Sequence, residues 1–142
     1  MAGGKKYGIY VKPNASMVQV QKAVNKINNQ VGRDVARVVS KRSRADAILR
    51  LGRISGTNAG VTISGAKDRI VLDRKYVRDF SGDVVGRKWI TRLAAHEVGH
   101  GLGLEHKKAA RNLMNPTGAP YKRLTSKQEA KIRKTKRAGG YK

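Results

Sequence analysis

All three histidines of this 142-residue chain fall in one stretch, at His96, His100 and His106. Residues four apart on an α-helix lie one above the other, so His96 and His100 present two imidazoles to one point, with Glu97 one step round. His106 reaches that point only if the helix stops and the chain turns back. Gly103 supplies the place, because without a Cβ it takes a positive φ at no steric cost just after Leu102. Three imidazoles leave a fourth position for water, the open arrangement of catalytic rather than structural zinc. On this reading His96, His100 and His106 bind Zn2+. Glu97 is the base that takes a proton from zinc-bound water as it attacks a scissile carbonyl.

Upstream of that stretch, strand patterns surround one amphipathic helix. Residues 7–12 read as a strand stopped by Pro13. Ser16 and Gln19 have capping-box spacing. Met17, Val20, Val24, Ile27 and Val31 then recur at steps of three and four, a helical stripe that Gly32 ends, and Met17 is expected in the core with the rest. Residues 35–39, 45–51, 61–64 and 69–73 read as further strands. The histidine-bearing helix is expected to begin between Asp83 and Lys88. Residues 104–121 read as loop, and a last helix with capping-box spacing at Ser126 and Glu129 runs on to Arg137. Neither an internal repeat nor a linker breaks the pattern. Residues 1–142 are therefore read as one α+β domain, with a basic C-terminal helix and tail from about residue 124.

Cysteine is absent, which excludes disulfides and thiolate ligands. Lys and Arg number 32 against 9 Asp and Glu, a formal net charge of +23. Such a surface attracts polyanions with an affinity that falls as salt rises. Two readings of the charge stay open: a nucleic-acid or other polyanion partner, or solubility and charge balance within a larger assembly. No signal-peptide pattern follows the basic start, and no apolar run is long enough to span a membrane. The expectation is a cytoplasmic or particle-associated protein, a viral particle included, ahead of classical secretion. Oligomeric state is not legible.

The run His-Glu-Val-Gly-His-Gly-Leu-Gly-Leu-Glu-His at 96–106, with Asn-Leu-Met-Asn-Pro at 112–116, resembles the metzincin clan of zinc peptidases. It is most similar to the matrixin side, with Pro116 two places after Met114 the nearest feature. The resemblance implies a zinc metalloendopeptidase acting on a protein or peptide substrate. It also implies a compact domain with a small twisted mixed sheet, a long N-terminal helix, an active-site helix and a C-terminal helix. Met114 would form a Met-turn beneath the zinc ligands. The edge strand near Val61, Thr62 and Ile63 would pair with extended substrate. Tyr121 is a further candidate contact, although its offset from Met114 differs from the tyrosine of other metzincin branches.

The loop over 107–123 is expected to wall a pocket with Leu113, Pro116, Pro120 and Tyr121, suited to a small or medium apolar substrate residue. Calcium near Asp68, Asp73, Asp79 and Asp83 is conceivable, but their spacing matches no recognised calcium loop. A second function class stands beside the enzyme: a basic nucleic-acid-binding or structural assembly protein on the same scaffold. In that case residues 122–137 would contact phosphates.

Overall fold

The computed structural model describes residues 6–56, 58–109, 111–116 and 123–134. Strand β1 (Tyr7–Val11) leads through a tight turn into helix α1 (Met17–Val31), followed by β2 (Ala36–Val39) and a short 3-10 turn at Arg42–Arg44. Then come β3 (Ala47–Gly52), β4 (Gly60–Ile63), β5 (Asp68–Asp73), α2 (Arg74–Phe80), α3 (Val84–Gly101) and α4 (Ser126–Lys134). The sheet order is β2-β1-β3-β5-β4, parallel throughout except that β4 runs antiparallel to β5 at the edge. The expected α+β domain with its mixed sheet and three principal helices is present. No helix among the described residues is long and apolar enough to cross a membrane.

Register explains the core. Val11 lies beside Leu49 and Leu49 beside Ile70, so alternate residues of three neighbouring strands form one apolar face. Val20, Ala23, Val24, Ile27 and Val31 of α1 are buried in the same cluster, as are Ile90, Leu93, Ala94 and Val98 of α3. Fully burying each of the larger aliphatic side chains contributes roughly 1.5–3 kcal/mol. Helix α3 is buried without a break from Arg92 to Gly99, so it runs through the molecule instead of lying on it.

Local details depart from the sequence reading at the caps. Met17 is 48% exposed, while Ala15 is buried in its place. The chain enters α1 through Asn14 and Ser16 in left-handed conformations, which turns the first helical residue outward. Ser16 makes no side-chain cap, so the capping box with Gln19 does not form. At α4 the box forms one residue earlier than expected. The Gln128 amide donates to Thr125 Oγ1 at 3.1 Å and the Thr125 amide to Gln128 Oε1 at 2.8 Å. Helix α2 was not foreseen; Asp73, at the end of β5, starts it by accepting from the Tyr76 amide.

The four aspartates considered for calcium have separate structural tasks. Asp68 accepts from the Tyr7 hydroxyl at 2.7 Å, Asp73 and Asp83 cap α2 and α3, and Asp79 pairs with Lys75. Among the described residues, the only group of three or more His, Asp or Glu able to share an ion is the histidine triad.

Candidate metal centre and cleft

Helix α3 ends in a Schellman motif, and that motif builds half the site. Gly103 takes φ +95, its amide donates to His100 O, and the Leu104 amide reaches back to Gly99 O, each at 2.9 Å. The same turn brings the Leu104 carbonyl to 2.9 Å from His100 Nδ1. His96 Nδ1 lies 2.8 Å from the Leu113 carbonyl. With each Nδ1–H donated to a carbonyl, the tautomer is set and each Nε2 is left as the ligand atom. His106 returns beyond the turn, and one ring nitrogen from each of the three histidines lies within 4.8 Å of the others. An all-imidazole set at this spacing fits zinc. The histidines could therefore chelate one metal ion.

Protonation favours binding. Burial lowers the His96 pKa from 6.5 to about 4, with His100, Arg92 and His106 adding repulsion and the Leu113 carbonyl opposing. The ring is thus the free base at neutral pH. In the metal-free protein this lowers stability in acid, because the unfolded chain takes up a proton near pH 6.5 and the folded chain does not until about pH 4. We expect metal-free protein to lose up to about 3 kcal/mol between those limits. Urea midpoints measured in chelator across pH 4–7 will show it, and His96→Asn should flatten the slope.

Met114 is fully buried, and a Cβ placed on Gly99 would come within 2.6 Å of its sulfur, so the thioether lies directly on the bare backbone of α3 between His96 and His100. A polar brace missed by sequence reasoning holds this floor. Asn112 and Gln128 exchange carboxamide hydrogen bonds at 2.7 and 3.1 Å, and Asn112 Oδ1 also accepts from the Met114 amide at 2.9 Å. The Leu113 amide donates to Arg123 O at 2.7 Å. Helix α4 thereby fixes the carbonyl that orients His96. Gln128→Leu should weaken zinc binding about tenfold, the low end for losing an outer partner of a ligand. Competition with a chromogenic chelator measures it.

Glu97 is 4% exposed, and burial raises its pKa, opposed by the Thr62 hydroxyl and by His106 and Arg92. Thr62 Oγ1 lies 2.7 Å from Glu97 Oε1 and 3.0 Å from its main-chain oxygen. Its single proton goes to the nearer carboxylate. The triad and Glu97 line a cleft of about 740 Å³ with Val61, Thr62, Trp89, Arg92 and Pro116. Ile63 is 43% exposed and outside that lining. Leu113, expected in the pocket wall, is fully buried because its main chain is bonded to both His96 and Arg123. Tyr121 and Pro120 lie outside the described residues. Arg92 went unnoticed in the sequence. It stands four residues before His96, hence on the same face, and its guanidinium donates to the Asn115 carbonyl.

A family model described as Matrixin matches residues 86–137, which take in all but the first two residues of α3, the Met114 turn and α4. No curated protein matches the chain. Archaemetzincin from Methanopyrus kandleri superposes with a TM-score of 0.65 at 13% identity, over 93% of this chain and 96% of that one. A zinc-dependent peptidase from Methanocorpusculum labreanum gives 0.58 at 11%, over 88% and 98%. Metalloproteinase-II from Bacteroides fragilis gives 0.51 at 12%, over 92% of this chain and 52% of that one. At these identities the likeness is one of architecture, and the chain has a metzincin-type zinc-peptidase fold.

Proposed function

We propose that residues 1–142 form one catalytic domain, a matrixin-like zinc metalloendopeptidase. The observation that carries this reading is the convergence of three imidazoles, with ligand atoms within 4.8 Å, in a cleft shared with a buried carboxylate and an edge strand. His96, His100 and His106 would hold zinc, which when bound acts as a Lewis acid, polarising a carbonyl and making water nucleophilic near neutral pH. Glu97 takes a proton from the attacking water and passes it to the departing amine as the C–N bond breaks. Thr62 holds one carboxylate oxygen and leaves the other for water. Burial makes Glu97 a stronger base than an exposed glutamate.

Among the described residues β4 pairs only with β5, so an extended substrate adds to its other edge, passing Val61 and Thr62. The purified chain should contain one zinc per molecule and cleave a library of unstructured peptides. Chelator should abolish the cleavage and added zinc restore it. Zinc-loaded protein that cuts none of the library would refute the reading.

A further inference from the structure

A second groove, of about 670 Å³, opens on the far side of His106 between the segment after α3 and helix α4. His106 lines both this groove and the cleft of the triad, so the two meet at the third ligand. Lys107, Lys127, Lys131 and Lys134 line the groove against a single carboxylate, Glu105. All four lysines are exposed, and none joins an ion pair among the described residues. Lys127, Lys131 and Lys134 stand at i, i+4 and i+7, one stripe on α4, where like charges repel and weaken the helix. An anionic occupant would relieve that repulsion.

We propose that this groove is a binding site for an acidic stretch of the polypeptide substrate, which sets which proteins are cut. The idea rests on the peptidase reading for what lies at the metal end. Two features favour a polypeptide over a nucleic acid. The groove shares His106 with the cleft, so a polypeptide held at the triad lies within reach of it. Ala130 and the methylene stems of the lysines in its lining offer apolar surface to side chains. Lys131 Nζ donates to Gly103 O at 3.0 Å, which ties the groove wall to the turn that places His106. Lysines suit carboxylates spaced along a flexible chain, since each is a mobile point charge needing no planar partner.

The test uses the full chain loaded with zinc and the variant Lys127→Glu/Lys134→Glu, which spares Lys131 and its hydrogen bond. Lys127→Ala/Lys134→Ala serves as a milder second variant, and circular dichroism confirms that both fold. A fluorescein-labelled decapeptide of Asp, Glu and Gly is titrated by anisotropy, with an oligothymidylate of equal charge as the comparison. The acidic peptide should bind the wild type roughly tenfold more tightly than the charge-reversal variant, as expected for a few exposed ion pairs. The difference should vanish in high salt.

In parallel, quenched peptides that share one cleavable core carry an acidic stretch on one flank, on the other, or on neither. One flank alone should raise kcat/KM about tenfold. The variants should lose that gain and cut the uncharged peptide as the wild type does. Cleavage of uncharged peptide with no preference for either acidic flank overturns the groove proposal and leaves the peptidase reading standing. Variant-sensitive binding of the acidic peptide without any cleavage supports the groove and removes the peptidase reading. Tighter binding of the oligothymidylate than of the peptide overturns the proposal in favour of nucleic acid.

Discussion

Replacing Glu97 with Gln is expected to lower peptide hydrolysis about a thousandfold, within the range for removing a positioned general base. Zinc content should be unchanged, because the three imidazoles and the carbonyls behind them are untouched. Stability supplies a second readout with a definite sign. Burial raises the Glu97 pKa, so the folded state favours the protonated form and the ionised carboxylate weakens the metal-free fold at neutral pH. A neutral amide of the same shape removes that burden and still accepts from Thr62. The variant should therefore melt no lower than wild type while being inert. A variant that loses zinc or melts lower would show that Glu97 serves the structure instead. The trade of stability for activity is the pattern expected of a working site.

Gly101→Ala should destabilise the fold. In an ordinary helix the change gains about 1 kcal/mol. Here the new Cβ would overlap the Tyr7 hydroxyl and lie 2.7 and 2.9 Å from ring atoms Cζ and Cε2. Tyr7 is fully buried and donates to Asp68, itself 6% exposed, so the ring cannot retreat without breaking a buried hydrogen bond to a carboxylate. Overpacking costs about 1–3 kcal/mol. The lost bond costs about 1.5–3 more. The net expectation is destabilisation by roughly 3 kcal/mol, read from urea unfolding. A rise in stability would mean that helix propensity, not the contact with Tyr7, governs this position. Zinc affinity should fall as well, since the strain falls two residues before the Gly103 turn that places His106.

Features encoded by neighbours in sequence were legible; those made by distant neighbours were not. The stripe from Val20 to Val31, the stop at Gly32, five strand patterns and the turn at Gly103 all follow from local periodicity and backbone preference. The histidine spacing fixed the metal cluster because one helix and one turn suffice to assemble it. Met17 misled because membership of a stripe does not say where the first turn meets the core; the left-handed Ser16 decides that. Helix α2 has only seven residues, too few to establish a period beside a strand ending in the same Asp73. The Asn112–Gln128 brace joins side chains 16 residues apart across a loop, and neither carries a signal of its own. Arg92 could have been noticed, since its four-residue offset from His96 is the offset that identified His100.

The packing of Met114 on Gly99 bears on tolerance to oxidants. Without cysteine, thioethers are the chain's only sulfur, and the one beside the ligands is sealed at 0% exposure while Met17 stands in solvent. Peroxide therefore meets Met17 well before Met114, and a sulfoxide oxygen at Met114 would find little room where its sulfur already presses on the helix backbone. Imidazoles above a shielded thioether would leave a metal held there indifferent to whether its surroundings are oxidising or reducing.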